Sequence, residues 1–336
     1  MSRLTSREIR LKSRPEGMPK PEDFEMAEVE VPEPGEGQVL VLNTFMSVDP
    51  YMRGRMMDVE SYIPPFGLGE PLEGGAVGRV EASRNPKFTR GDHVLGMLGW
   101  REYYVSDGSG LLKIDPAAAP IQAYLGVLGM TGLTAYVGLL DMGRLKAGDT
   151  VFVSAASGAV GGVVCQIAKI KGCRVVGSVG SDEKAAWLLN EAGIDTTVNY
   201  KTADNLVEAV GRQCPEGIDV FFDGVGGAHL EAALEHMNPH GRIVLCGMIS
   251  QYNATRRPRG PGNLAQIIVK RLTVQGFIVG EHFDRQRQFA ADMANWIAEG
   301  RIRWKETVVE GIENAPSAFI GLFRGENFGK MLVKLA

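Results

Sequence analysis

Cysteine and histidine are scarce in this chain, and that scarcity narrows its chemistry before any motif is read. Cys165, Cys173, Cys214 and Cys246 are its 4 cysteines, spread too widely to form a C-x-x-C pair. Neither a structural zinc site nor a disulfide framework is therefore expected, and core thiols are the plainer reading. Of the 5 histidines, only His93 lies in the N-terminal part, with no cysteine or second histidine nearby. A catalytic zinc needs three protein ligands, and this sequence does not assemble them. No metal site is predicted. Strong charge of one sign is also missing: 36 basic residues against 40 acidic ones leave a net charge of −4. Without an electrostatic footprint for a polyanion, nucleic acid is not an expected partner. An apolar signal-peptide region is absent near Met1, so a cytoplasmic location is expected. Two charge-free windows, residues 116–140 and 150–168, are long enough to span a bilayer but carry proline, glycine or serine throughout. Both read as buried core, and no membrane span is expected.

What the chain does contain is concentrated in residues 150–177, TVFVSAASGAVGGVVCQIAKIKGCRVVG. A β-branched and aromatic run suited to a buried parallel strand leads into a small-residue turn, a helix and a second strand. Gly158 and Gly161 keep the spacing of the last two glycines of G-x-G-x-x-G, with Ala156 where the first would stand. Small residues there let backbone N–H groups approach a pyrophosphate, and the helix points its positive dipole end at the same group. The phosphate is expected near residues 157–161. Strand-like segments recur at 174–179, 195–199, 218–223, 241–247 and 272–279, mostly with helical stretches between. Six strands with helical crossovers predict an α/β, doubly wound parallel six-stranded Rossmann sheet, with its ligand at the carboxyl ends of the strands. The alternative is a Rossmann-like domain that binds no nucleotide.

A chain of 336 residues exceeds what one core usually serves, so two domains are expected. Residues 29–114 show short strand-like runs (38–43, 76–82, 92–97 and 102–105) broken by proline and glycine, the pattern of a mostly antiparallel β domain. His93 reads as a turn or strand residue of that domain. The tail, residues 306–336, returns to the same style and is predicted to pack back on it. The N-terminus, with Arg3, Arg7, Arg10, Lys12 and Arg14 followed by acidic residues, reads as a solvated arm.

Five segments carry a resemblance to a known family: PGEGQVLV (34–41), SVDPYMRGRM (47–56), GMTGLTAY (129–136), CGMISQYN (246–253) and GENFGK (325–330). They resemble the non-zinc medium-chain dehydrogenase/reductases, specifically the prostaglandin reductase, plant double-bond reductase and curcumin reductase family, over nearly the whole chain. The resemblance implies a GroES-like substrate and catalytic domain over residues 1–124. A Rossmann NADP-binding domain over 125–303 and a C-terminal return to the catalytic domain over 304–336 complete it. It implies NADP(H) as cofactor, with Gly158, Ala159, Val160 and Gly161 as the phosphate turn and Lys184 paired with the 2'-phosphate. A phosphate there needs a cation, whereas an NAD site would place a carboxylate on the 2'-hydroxyl; Asp182 and Glu183 keep that alternative open. Tyr200 matches a residue at the adenosine end. Cys246, Gly247, Ile249, Ser250, Tyr252, Phe277, Ile278, Val279 and Asn327 match segments around the nicotinamide half. Val269 stands where some relatives carry a further tyrosine.

The implied activity is NADPH-dependent reduction of the carbon–carbon double bond of α,β-unsaturated ketones and aldehydes, by hydride transfer to the β-carbon. Tyr252 is the leading catalytic candidate, because the enolate that forms needs a hydrogen-bond donor from a phenol or from a ribose hydroxyl held by it. Tyr51 is the second, on the substrate side. Both also have plainer readings, Tyr252 as a residue that packs on the cofactor and Tyr51 as a buried strand-end tyrosine. A quinone or carbonyl oxidoreductase on the same scaffold and a non-catalytic NADP-binding protein remain as alternative functions. The expected partners are a small-molecule enone and, through the last Rossmann strand, a second copy in a homodimer.

Overall fold

The computed structural model describes residues 3–336. Their contacts gather into two compact units, one of residues 3–126, Glu306–Asn327 and Met331–Ala336, the other of Val127–Lys305 and Phe328–Lys330.

The first unit begins with a charged hairpin. β1 (Thr5–Leu11) runs antiparallel to β2 (Phe24–Glu30), Thr5 opposite Glu30 and Leu11 opposite Phe24. This corrects the expectation of a solvated arm: Ile9 and Leu11 are buried in the core. The basic residues are engaged by carboxylates, Arg7 with Glu102 at 2.6 Å and Glu313 at 3.0 Å, and Arg10 with Glu8 at 2.6 Å. Charge density alone points to solvent, but Arg10 pairs with Glu8 on one face of β1, while Arg7, on the same face as buried Ile9 and Leu11, is held by Glu102 and Glu313.

The chain continues through β3 (Val39–Ser47), a single helical turn α1 (Met52–Arg55), β4 (Ala76–Ser83), β5 (His93–Gly96), β6 (Tyr103–Ser106) and β7 (Leu112–Ile114). The strands of this unit pair antiparallel, with β4 between β3 and β5. His93 opens β5 opposite Arg79. Trp100 centres the core, stacked on Phe24 at 6.2 Å and edge-on to Phe319 at 6.2 Å.

The second unit opens with α2 (Met130–Val137) and proceeds as β8 (Thr150–Val153), α3 (Gly161–Ile170), β9 (Arg174–Val179), α4 (Asp182–Asn190), β10 (Thr196–Asn199), α5 (Leu206–Gln213), β11 (Ile218–Asp223), α6 (Ala228–His236), β12 (Met237–Leu245), α7 (Ala265–Val269), β13 (Thr273–Gly276) and α8 (Gln286–Ala298). The six strands form one parallel sheet in the order β10-β9-β8-β11-β12-β13. Every residue of β8 is buried, as a central strand covered on both faces requires. Phe152 and Phe221 stack at 5.1 Å between neighbouring strands. Side-chain caps start two crossover helices: Ser181 accepts the Lys184 N–H, and Asn205 accepts those of Val207 and Glu208. The strand order reverses between β8 and β11, and at such a switch point a crevice opens beyond the carboxyl ends of the strands.

Two strand boundaries differ from expectation. β12 begins at Met237, because Met237 pairs with Ile218 before a bulge through Asn238, Pro239, His240 and Gly241 delays the next pair to Arg242 and Val220. β13 stops at Gly276, short of Phe277, Ile278 and Val279.

The last segment adds β14 (Glu306–Glu310), α9 (Ala315–Arg324) and β15 (Lys330–Lys334). β15 pairs antiparallel with β3, Leu332 opposite Ser47, and the full sheet runs β14-β15-β3-β4-β5-β7 with β6 on β3.

Candidate functional site

The turn after β8 is built for close approach. Ala155 adopts a left-handed φ of 47°, a conformation unfavourable for a residue with a Cβ, and it sends the chain sharply into α3. A Cβ on Gly161 would stand 2.4 Å from the Ala155 carbonyl oxygen, so only glycine fits the first position of the helix. The Ala159 and Val160 N–H groups find no protein acceptor among the described residues. Open donors at the start of a helix, beside small residues, fit a pyrophosphate. Ser157 accepts the Gly329 N–H at 2.9 Å, which ties the segment 328–330 to this turn.

At the end of β11 a buried carboxylate, not foreseen from the sequence, organises the neighbouring loop. Asp223 Oδ1 accepts Ser154 Oγ–H at 2.7 Å and the N–H groups of Val225 and Gly226 at 2.9 and 3.0 Å. Burial pushes its pKa up against these donors. Its backbone oxygen accepts the N–H groups of Cys246 and Gly247, so the ends of β11 and β12 are fastened together. The signal for this residue was the strand-ending Asp223-Gly224-Val225-Gly226-Gly227, which by itself names no chemistry.

The segment after β12 holds most of the residues expected around a nicotinamide. Ile249 and Ser250 donate backbone N–H groups to the carbonyls of Gly224 and Val225. Ser250 Oγ–H adds a bond to Val225 at 2.6 Å. Cys246 keeps a protonated thiol, its pKa pushed up to about 12 by burial and then by Asp223. Tyr252 curls back on its own loop: its hydroxyl oxygen accepts the Met248 N–H at 3.2 Å. Burial raises the phenol's pKa, and the Met248 hydrogen bond opposes the rise. Phe277, Ile278 and Val279, half-buried, follow β13, with the Phe277 ring 6.3 Å from that of His282.

At the other side of the sheet, Lys184 lies in the first turn of α4 and Tyr200 directly after β10. Desolvation, then the neighbouring Lys201, lowers the Lys184 pKa. The Tyr200 ring meets His229 edge-on at 5.2 Å, and His229 Nε2 shares a 2.8 Å hydrogen bond with Ser178 Oγ. Asp182, the carboxylate that kept an NAD reading open, accepts the Asn199 side-chain amide at 2.9 Å.

In the first unit, Tyr51 precedes α1 and packs against the Trp100 core. Its hydroxyl is buried with no hydrogen-bond partner among the described residues. Burial, then Asp49, pushes its pKa up. Asn327 lies in this unit just after the Gly325 cap of α9.

Residues 7–114 match the family described as the N-terminal domain of oxidoreductase, and residues 159–299 the family described as zinc-binding dehydrogenase. The NADPH-dependent curcumin reductase of Escherichia coli (strain K12) is 45% identical, covering 97% of this chain and 96% of its own. The NADP(+)-dependent 2-alkenal reductase of Nicotiana tabacum is 43% identical over 99% of this chain and 98% of its own. The chain belongs to the medium-chain dehydrogenase/reductases. Within them it is also 45% identical to prostaglandin reductase 1 of Rattus norvegicus, over 96% of this chain and 97% of that one. The crystal structure of CurA from Vibrio vulnificus in complex with NADPH has a TM-score of 0.93 to this medium-chain reductase at 46% identity, covering 98% and 99% of the two chains. No group of three or more His, Cys, Asp or Glu side chains that could hold a metal ion occurs among the described residues.

Proposed function

We propose that this NADP-dependent oxidoreductase reduces the carbon–carbon double bond of α,β-unsaturated ketones and aldehydes, with the hydride going to the β-carbon. The observation that carries the reading is the Tyr252 phenol. Its oxygen accepts a backbone N–H, and burial holds its pKa above the ordinary range. The hydroxyl is thus protonated at neutral pH, with its own hydrogen left to donate. NADPH, when bound, supplies the hydride. As the β-carbon gains it, the electron pair of the double bond moves toward the carbonyl oxygen, where a preorganised donor stabilises the enolate. The α-carbon then takes its proton from solvent. Tyr51 offers a second donor: a buried hydroxyl without a partner costs about 1–3 kcal/mol, relieved when a substrate oxygen accepts its hydrogen.

In this reading Gly158, Ala159, Val160 and Gly161 hold the pyrophosphate, and Lys184 and Tyr200 receive the adenosine 2'-phosphate. Cys246, Gly247, Ile249, Ser250, Phe277, Ile278, Val279 and Asn327 enclose the nicotinamide half. The reductase works in the cytoplasm as a homodimer joined along β13. Supporting the dimer, β13 has β12 as its one sheet neighbour among the described residues, and Ile268 and Val269, just before it in the chain, are 80% and 66% exposed. A panel of enones, enals, saturated aldehydes and quinones assayed by NADPH oxidation tests the substrate class. Turnover of enones and enals to saturated carbonyls is the expected result; turnover of quinones alone would move the assignment to a quinone oxidoreductase.

A further inference from the structure

The adenosine end holds more positive charge than one lysine. A Cβ on Gly180, the residue before the cap of α4, would stand 2.8 Å from Tyr200 Oη and 3.2 Å from Lys201 Cε. The side chains of Tyr200 and Lys201 therefore run back over the end of β9, onto the start of the helix that carries Lys184. Lys201 forms no salt bridge among the described residues, and its backbone N–H donates to Asn199 Oδ1 at 3.2 Å. The same Asn199 engages Asp182 through its amide, so the carboxylate placed to take a ribose 2'-hydroxyl already has a donor. Beneath them the Tyr200 ring rests on His229, a buried imidazole tied to Ser178 of β9. Lys184 loses basicity partly to Lys201, which means the two ammonium groups share one field. Two like charges gathered at a partly desolvated place repel, and a dianionic ligand between them removes that repulsion.

We propose that Lys201 is a second cationic ligand of the adenosine 2'-phosphate, acting beside Lys184 on the edge of a site whose floor is Tyr200 and His229. The proposal rests on the NADP reading and extends it to a residue outside the phosphate motif. Two point cations on different elements, the first turn of α4 and the loop after β10, grip a phosphate from two directions. Neither is a fork, so each contributes by charge as well as by hydrogen bonding.

Calorimetric titration of the full-length protein with 2',5'-ADP and with 5'-ADP tests this without any turnover. The unmodified protein should bind 2',5'-ADP more tightly. Lys201→Ala should weaken 2',5'-ADP by about ten- to a hundredfold while leaving 5'-ADP within about twofold, the range for a charge-assisted contact. Lys201→Arg should restore most of the loss, and added salt should shrink the gap between the two ligands. If Lys201→Ala leaves 2',5'-ADP affinity unchanged, or weakens both ligands equally, Lys201 is not a phosphate ligand. If the unmodified protein itself binds the two ligands equally, the 2'-phosphate reading fails together with the role of Lys184. An intact preference in the unmodified protein, retained by Lys201→Ala, overturns the role of Lys201 alone.

Discussion

At the scale of single residues, Tyr252, Lys184 and His229 each carry a separable consequence. Tyr252→Phe keeps the ring but removes the hydroxyl, and with it both the hydrogen proposed for the enolate and the acceptor of the Met248 N–H. Its kcat should fall by about ten- to a thousandfold with NADPH affinity nearly unchanged, as steady-state kinetics and fluorescence titration would show. Lys184→Ala should erase about 1.5–3 kcal/mol of the preference for NADPH over NADH, read from the two dissociation constants. His229 governs the response to acid. Burial lowers its pKa from 6.5 to about 4, so between those values the unfolded chain takes up a proton that the folded chain refuses. Its contribution to stability is whole above about pH 6.5 and is lost as the pH falls toward 4, by up to about 3 kcal/mol. Urea denaturation at pH 7 and pH 4.5 should show this loss in the unmodified protein and a smaller one in His229→Gln.

At the scale of elements, the strand–turn–helix of the second unit was the most legible part of the molecule, because its pattern is local. A buried parallel strand reads as an unbroken apolar run, and Gly161 is required by the Ala155 carbonyl a few residues away. The N-terminal hairpin was not legible. What buries Ile9 and Leu11 and engages Arg7 is a set of partners far along the chain, Glu102 and Glu313 among them, and no local pattern announces them. Ile9→Ala should therefore destabilise the first unit by about 2–4 kcal/mol in chemical denaturation, whereas a solvated arm would show almost no change. The candidate site divides in the same way. Gly158, Gly161 and Tyr252 sit in recognisable segments, while Asp223 and Lys201 gain their significance from neighbours distant in sequence, Ser154 and Gly180. The end of β13 at Gly276 and the bulge before Arg242 likewise depend on strand register, which composition does not encode.

At the scale of the whole molecule, the chain is an NADP-dependent oxidoreductase with a six-stranded parallel sheet in one unit and a mostly antiparallel β sheet in the other, and the proposed chemistry rests on hydrogen-bond donors. No metal is assigned a role, so exhaustive chelation should leave both activity and thermal stability unchanged, and one tightly held zinc per chain would contradict this. The central claim concerns where the hydride goes, and isotopic labelling reads it directly. With NADPH deuterated at its transferable position and a simple enone as substrate, NMR of the product should find deuterium on the β-carbon, the carbonyl intact and the α-hydrogen drawn from solvent. Deuterium on the carbonyl carbon, with an allylic alcohol as product, would contradict the account.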